Sequence, residues 1–356
     1  MASSSGAIWS AGSAKNVILT GCKLVFAIGL VAYLIRRGDI AWDPIQASLD
    51  RWQYSFLALL LLAMTPLGQL WRWQSLLRAS RLYLPTREVF SYLMVAKFLN
   101  MALPGYIGGD VIRGFYVSRR AFGSSTAPGS EASGSSVHGP STVLPSIVFD
   151  RMAGLLPLFA LALLGSLGAF WYALPRHLLL LVSSFATAGL LAALGIFWLA
   201  YRSPVPPPFL VRTMARFRLH HLFSALYEGS HQYVHNPRLI RKVLGISFLS
   251  QGLILASFVL LGTALGLEIP LISYFVLVPL GLMVTAVPIS PAGLGVGQVA
   301  FLGLFQMVGT AQGANLFTLY MASSVIVNMS GALLLPFFRL RPSLPTTGNL
   351  ARVEEP

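Results

Sequence analysis

Charged residues are scarce in this sequence. Asp, Glu, Lys and Arg make up 10% of the 356 residues, whereas a soluble domain carries about 25%. So few charges cannot coat a water-facing surface, which excludes an ordinary soluble protein. Hydrophobic residues make up 55%, and the mean hydropathy is +0.71. They fall in runs of about 20 residues, the length that crosses the hydrocarbon core of a bilayer. The sequence therefore predicts an integral membrane protein.

Cysteine is nearly absent, because Cys22 is the only one in the chain. An internal disulfide and a cysteine-based metal site are therefore excluded. His231 and His235 have the i, i+4 spacing that suits a metal on a helix, but Glu228 is the one acid near them in a basic loop. We expect no metal and no other cofactor, and the sequence contains no nucleotide-binding motif.

Acidic residues are few as well: 11 Asp and Glu stand against 25 Lys and Arg, a net charge of +14. Nucleic-acid binding is not expected, because no basic stripe is interleaved with exposed aromatics as that function requires. Cytoplasmic loops of membrane proteins collect Lys and Arg, and these loops face anionic headgroups. A membrane phospholipid or other anionic lipid is therefore the expected partner.

The apolar segments predict an all-α, polytopic membrane bundle of about six to eight spanning helices. Lipid-exposed backbone must satisfy its own hydrogen bonds, and alternating strands are absent from the sequence. Re-entrant or broken segments are predicted near 88–113 and 280–305, where prolines and glycines interrupt the apolar runs. The segments lie at 17–35, 54–71, 88–106, 146–171, 178–200, 244–266, 271–289, 297–310 and 315–338.

The distribution of basic residues favours a segment 88–106 that re-enters without crossing. With a cytoplasmic N-terminus, this topology gives the cytoplasmic parts, among them 72–87 and 201–243, 18 Lys and Arg, against 4 in the outside loops. If 88–106 crossed, the seven basic residues of 201–243 would lie outside, against the usual asymmetry. Both termini are therefore expected in the cytoplasm, and a bacterial inner membrane is the expected location.

The predicted organisation is one transmembrane domain, 1–340, followed by a cytoplasmic tail, 341–356. Residues 118–145 form a Ser/Gly-rich stretch that predicts a flexible loop. Residues 204–240 predict a cytoplasmic amphipathic region on the membrane surface. An ordinary connecting helix is the alternative reading of that region.

The first candidate site follows the helix break at Pro104. Such a break inside the membrane is tolerated where protein or water covers it. Backbone N–H groups at the start of the next helix, together with Arg113, could hold a phosphate. Alternatively, Asp110 and Arg113, spaced i, i+3, pair with each other at a helix end. The substrate-binding candidates on this segment are Lys97, Asn100, Gly105, Gly108, Gly109, Asp110 and Arg113.

The second candidate site is Asp150 and Arg151, at the start of an apolar segment. Adjacent residues on a helix point in different directions, so each is expected to find its own partner. Lys97 or Arg113 is a candidate partner for Asp150. Snorkelling of Arg151 to the membrane interface is the alternative.

The third candidate site is the break between the runs 271–289 and 297–310. Ser290 and Gln298 could bond a polar headgroup, together with Gly293 and Gly295, and a simple tight turn is the alternative. Paired broken segments in two halves of a chain indicate a transport site at a repeat interface.

These groups together resemble the lysylphosphatidylglycerol synthase transmembrane (flippase-like) family, which includes the N-terminal flippase domain of the multiple peptide resistance factor. The resemblance covers most of the chain and implies an all-helical membrane domain with re-entrant segments and a role in lipid translocation. It rests on Asn100, Leu103-Pro104-Gly105, Gly108-Gly109-Asp110, Arg113, Asp150-Arg151, Gly154, Pro288, Ser290-Pro291 and Gly293-Leu294-Gly295-Val296.

The chain departs from the family pattern at several places. The family often has Glu where Asp150 stands, an acid where Gln298 stands, and a cation within 315–338, where this chain has none. The Ser/Gly-rich stretch 121–142 resembles an insertion. Because no synthase domain follows Arg339, aminoacyl transfer to lipid is not expected.

The expected function is a lipid flippase or related transporter that moves a phosphate-bearing lipid through a polar intramembrane groove. The alternative is a lipid-binding scaffold that does not transport, or a partner of an envelope lipid or glycan enzyme. An intramembrane enzyme is not expected, because the sequence has no Ser/His pair and no zinc motif. A homo-oligomer or an envelope enzyme is a candidate protein partner.

Overall fold

Helices form all the regular secondary structure in the described part of the chain. This computed structural model describes residues 25–26, 28–102, 108–122, 143–170, 175–216, 220–286, 290 and 293–337. Five of its helices are long and apolar enough to cross a membrane, and two shorter apolar helices accompany them. These observations confirm the predicted all-α, polytopic membrane bundle.

The helices are numbered here in chain order. They are α1 (residues 28–36), α2 (Trp42–Asp50), α3 (Trp52–Ala79), α4 (Thr86–Ala102), α5 (Gly108–Phe122), α6 (Val143–Ala169), α7 (Arg176–Arg202), α8 (Pro208–Arg216), α9 (His220–Val234), α10 (Pro237–Ala264), α11 (Leu271–Ala286), α12 (Val296–Gln306) and α13 (Gly313–Met329), and a 3-10 helix (Ala332–Phe337) follows.

Some predicted features lie outside the described residues. They are the start of the first apolar run, the break at 103–107 with Gly105, the prolines Pro288 and Pro291, and the tail 341–356. The predicted loop 118–145 is too long at both ends, because α5 continues to Phe122 and α6 begins at Val143.

Helices α3 and α10 form the antiparallel centre of the bundle. Each has 28 residues, about 42 Å of helix, which exceeds the roughly 30 Å hydrocarbon core. Near one end, Arg51 Nη1 donates to the carbonyl of Thr263 at 3.0 Å. Towards the other end, Arg72 Nη1 donates to Ser247 Oγ at 3.0 Å. Between these two contacts the residue number increases along α3 and decreases along α10, so the two helices are antiparallel.

Helices α4 and α5 form a hairpin that returns to the end of the bundle where it began. They have 17 and 15 residues, about 25 and 22 Å, so each is short for a full crossing. At the closed end, Gly109 N donates to Asn100 Oδ1 at 2.8 Å. At the open end, Arg120 Nε lies 3.3 Å from Glu88 Oε2. This geometry agrees with the predicted re-entrant segment.

Helices α11 and α12 form a second hairpin, held together by aromatic packing. The rings of Tyr274 and Phe305 lie 6.0 Å apart. Nearer the break, a Cβ at Gly281 would lie 2.4 Å from the ring of Phe301. The absent side chain at Gly281 therefore allows the two helices to approach closely.

The order of a long helix, a short hairpin and a second long helix occurs twice in the chain. The first set is α3, α4–α5 and α6, and the second is α10, α11–α12 and α13. The packing agrees with a repeat, because α6 contacts α10 and α11 while α13 contacts α3 and α4. Since α3 and α10 are antiparallel, the two hairpins begin at opposite ends of the bundle. This is the arrangement of an inverted repeat.

The two halves share their register but differ in chemistry. Trp73 and Phe258 occupy the same position along α3 and α10, 21 residues after each helix starts, and Arg113 and Phe301 are the sixth residues of α5 and α12. The guanidinium of Arg113 lies 4.6 Å from the ring centroid of Trp73. In the second half, the rings of Phe258 and Phe301 stack at 5.2 Å. A cation on an aromatic ring in one half is thus replaced by an aromatic pair in the other.

The region 204–240 divides into α8, which has no buried residue, and α9, which packs against α6 and α7. Tyr233 of α9 is fully buried, and its hydroxyl lies 2.8 Å from Ser80 Oγ at the end of α3. Burial raises the pKa of Tyr233 to about 12. The α9 part is therefore a packed connecting helix, while α8 keeps an exposed surface.

Candidate functional site

Five charged side chains of α3, α5 and α6 form a chain of alternating sign. In order, they are Arg151, Asp110, Arg113, Asp150 and Arg72. Arg151 Nε bonds Asp110 Oδ2, and Asp110 Oδ1 lies 3.0 Å from Arg113 Nε. Arg113 Nη2 lies 3.3 Å from Asp150 Oδ2, and Asp150 Oδ1 lies 2.6 Å from Arg72 Nε. Residues of the first and second candidate sites are thereby joined, together with Arg72.

The chain runs from the protein surface into the interior. The side chain of Arg151 is 40% exposed and that of Asp110 is 12% exposed. Arg113 and Asp150 fall to 4% and 5%, and Arg72 is 8% exposed. A polar group that approaches from the side of Arg151 therefore meets a graded series of buried charges.

Asp150 and Arg151 are neighbours in sequence but have different partners, as predicted. On α6 their side chains point in different directions, so Asp150 meets Arg113 and Arg72 while Arg151 meets Asp110. The suggested pair of Asp110 with Arg113 is also present. Of the two suggested partners of Asp150, Arg113 is observed, and no ion pair among the described residues joins Lys97 to Asp150.

Arg72 holds the inner end of the chain and was missed by the sequence reasoning, which placed it in the loop 72–87. Helix α3 instead continues to Ala79. The guanidinium of Arg72 also lies beside Gly154 of α6, where an added Cβ would lie 3.3 Å from Nη1. Gln251 Nε2 donates to the carbonyl of Gly154 at 2.9 Å. Helices α3, α6 and α10 therefore enclose this arginine.

Lys97 of α4 lies within electrostatic range of the network. The charges that act on it include Arg113, Arg72, Asp150 and Arg151. Among the described residues, Lys97 has no hydrogen bond and no ion pair. With Lys97, the cluster contains four cations and two carboxylates, a formal charge of +2.

The closed end of the first hairpin lies against the backbone of α4. A Cβ added at Gly109 would lie 2.1 Å from the carbonyl oxygen of Ala96, so a side chain at this position has no space. Asn100 fixes the start of α5 through its bond to Gly109 N. Gly108 begins α5, while Gly105 lies outside the described residues. Asp110 is thus held in the first turn of a helix, where an acid is favoured.

At the second break, Gln298 caps its own helix. Its Oε1 accepts from Gly295 N at 2.7 Å, and the side chain is buried. Gly293 and Gly295 have φ values of 76° and 79°, which favour glycine. Ser290 is buried, and its Oγ has no hydrogen-bond partner in the described structure. No hydrogen bond or ion pair among the described residues joins these four to the charge chain.

Several polar or aromatic residues at the site had no distinctive sequence signal. Arg72 and Trp73 follow an apolar run, and Ser247 and Gln251 lie within another. The signal that could have indicated Arg72 is its position between two aromatic residues, in Trp71-Arg72-Trp73. A buried ion network costs several kcal/mol of desolvation per ion before its contacts compensate. Ionisable residues inside a membrane are therefore functional candidates.

The fold and the site define a polytopic membrane protein with an inverted repeat and one buried, net-cationic charge chain. A family profile described as "Lysylphosphatidylglycerol synthase TM region" matches residues 21–338. The chain therefore belongs to this family, which confirms the resemblance drawn from its motifs. Searches of curated proteins and of solved structures give no significant match.

Proposed function

We propose that this protein is a lipid transporter that moves a phosphate-bearing lipid across the bilayer along the buried charge chain. The observation that carries the proposal is the chain itself, which extends from partly exposed Arg151 on α6 to buried Arg72 on α3. Guanidinium groups bind phosphate by paired, charge-assisted hydrogen bonds. A path lined with them offers a headgroup a substitute for water inside the bilayer.

The inverted repeat supplies a physical means of exposing the path to each side in turn. In transporters with such repeats, one half rocks against the other around a site at their interface. Here α3 and α10 form the contact between the halves, and Arg72 reaches from α3 to Ser247 of α10. Relative movement of the halves would change the environment of the innermost cation.

Arg113 and Arg151 would hold the phosphate, while Asp110 and Asp150 would orient these arginines. Asn100, Gly108 and Gly109 would supply the first turn of α5 as backbone support. The distribution of the Lys and Arg residues supports a cytoplasmic position for both termini, and the proposed location is a bacterial inner membrane. Transport by this chain involves no covalent chemistry on the lipid.

The test is lipid movement in proteoliposomes, with acyl-labelled fluorescent phospholipids and an impermeant quencher. Wild type is compared with Arg113→Ala and Asp150→Ala, each checked for a monodisperse elution profile. The matched control is Arg120→Ala, at the opposite end of α5 in an exposed pair with Glu88. Wild type and the control should expose inner-leaflet lipid to the quencher, and both site variants should lose this activity.

Two results would contradict the proposal. Normal movement by both site variants would remove the charge chain from the transport path. If the folded wild type moves no lipid but binds lipid in detergent, the protein is a lipid-binding scaffold or a partner of an envelope enzyme. This second outcome corresponds to the alternative drawn from the sequence.

A further inference from the structure

Each oxygen of the two carboxylates in the charge chain has an arginine partner. Asp110 is ion-paired with Arg113 through Oδ1 and accepts from Arg151 through Oδ2. Asp150 accepts from Arg72 through Oδ1 and from Arg113 through Oδ2. Because all four carboxylate oxygens already face an arginine, an ammonium group on a ligand would have to compete with these cations for either acid.

The cluster, in contrast, contains more cations than carboxylates. Lys97 has no hydrogen bond or ion pair with the residues that the structure describes. Lys97 lies on α4 between Ala96 and Asn100, which both face Gly109 beside Asp110. Three arginines of the chain act on it with like charge, whereas Asp150 attracts it. Like charges held together in a low-dielectric site repel strongly, so the arrangement favours an added anion.

No other carboxylate of the described residues lies in the interior of the spanning helices. Those outside the chain lie in α2, in its preceding loop, at the start of α4, in the exposed surface of α9 and in the loop before α11; they are Asp39, Asp43, Asp50, Glu88, Glu228 and Glu268. At the repeat position equivalent to Asp110, the third residue of α12 is Gln298. Its carbonyl oxygen is already used by Gly295. The second hairpin therefore supplies no acid for a cationic headgroup.

We infer that the substrate class is a lipid with a net-negative phosphate headgroup that carries no amine, and that Lys97 is its selectivity residue. The inference rests on the proposed function and deepens it. A phosphodiester contributes one negative charge to a site of formal charge +2. An ethanolamine or aminoacyl headgroup would add an ammonium group among four cations, where each of the two carboxylates described is already paired with arginines.

The experiment compares acyl-labelled phosphatidylglycerol with acyl-labelled phosphatidylethanolamine in phosphatidylcholine proteoliposomes. Wild type should move phosphatidylglycerol at least about tenfold faster, since one mismatched charge outweighs the 1.4 kcal/mol that a factor of ten represents. Lys97→Gln should lower the ratio of phosphatidylglycerol to phosphatidylethanolamine movement, and Lys97→Arg should retain the preference. Equal or faster movement of phosphatidylethanolamine would overturn the inference while the proposed transport stands.

A binding measurement keeps the inference testable if neither lipid moves, an outcome that removes the proposed transport. Thermal unfolding of the detergent-solubilised protein is followed with phosphatidylglycerol, phosphatidylethanolamine or inorganic phosphate added. Phosphatidylglycerol should raise the midpoint in wild type and not in Lys97→Gln, while phosphatidylethanolamine has no effect. Equal effects of the two lipids would overturn the inference. A rise with inorganic phosphate alone would assign the site to a free anion instead of a lipid.

Discussion

The Nε of Arg72 lies 2.6 Å from Oδ1 of Asp150, although 78 residues separate them in the chain. This contact joins α3, the first long helix of the bundle, to α6, the helix that follows the first hairpin in the chain. Through this contact both oxygens of Asp150 have an arginine partner, because the other oxygen accepts from Arg113. The pair therefore sets both the packing of the first half and the charge that its site presents.

Loss of Arg72 should destabilise the protein strongly. Arg72→Met removes one of two cationic partners from a buried carboxylate, and breaking such a pair costs about 3–5 kcal/mol. The thermal midpoint in detergent should fall accordingly. Adding Asp150→Asn to this variant should cost less than it does in wild type, because the charge left unpaired is then removed.

The matched control for Arg72 is Arg120→Met, since Arg120 pairs with Glu88 at the exposed end of the first hairpin. Exposed pairs contribute about 0–1 kcal/mol, so its midpoint should barely change. Equal shifts for the two arginine variants would show that burial gives the Arg72 pair no special weight.

Gly109→Ala should open the first hairpin. The added Cβ would lie 2.1 Å from the carbonyl oxygen of Ala96, so α5 must move away from α4 and carry Asp110 with it. We expect a lower thermal midpoint and loss of lipid transport. The control is Gly303→Ala in the second hairpin, where no atom lies within 4 Å of the new Cβ.

Gly303→Ala should be neutral or stabilising by up to about 1 kcal/mol, because Ala is the better helix former. If Gly109→Ala and Gly303→Ala behave alike, close contact between α4 and α5 does not determine the shape of the site.

Phe301→Ala should lower stability without altering headgroup preference. Phe301 is fully buried. Its ring stacks with Phe258 at 5.2 Å and lies tilted against Phe317 at 4.8 Å. Truncation of such a side chain costs about 3–5 kcal/mol through the cavity it leaves. The measurements are the thermal midpoint and the ratio of phosphatidylglycerol to phosphatidylethanolamine transport.

Val299→Ala, on the same helix and 42% exposed, is the control for Phe301 and should change stability by less than about 0.5 kcal/mol. A changed lipid ratio in Phe301→Ala would show that the aromatic half of the repeat takes part in selection, contrary to our assignment.

The inverted repeat predicts that the open ends of the two hairpins face opposite sides of the membrane. Cysteine is introduced at exposed Arg119, near the end of α5, or at exposed Ala311, after α12, in a Cys22→Ser background. An impermeant maleimide should label one site in intact cells and the other in inverted vesicles. Labelling of both from the same side would contradict the inverted arrangement.

The sequence determined those features that depend on local composition and spacing. The scarcity of charge and the length of the apolar runs fixed the membrane class, and the Pro/Gly breaks and basic loops predicted the re-entrant hairpin. The motifs around Asp110, Arg113, Asp150 and Arg151 identified the family and the greater part of the charge chain. Each of these signals is a matter of residue type and order along the chain, so no knowledge of the tertiary structure is required to detect it.

The tertiary structure alone decided which charges meet. Arg72 is an ordinary arginine at the end of an apolar run until α6 and α10 pack against α3 and bury it beside Asp150 and Ser247. Likewise, the sequence predicts Gln298 as a residue that contacts the headgroup, whereas in the folded protein its Oε1 accepts a hydrogen bond from Gly295 N. Burial and ion pairing depend on contacts between residues far apart in sequence. Periodicity and composition carry no information on such contacts, because they describe each segment without its neighbours.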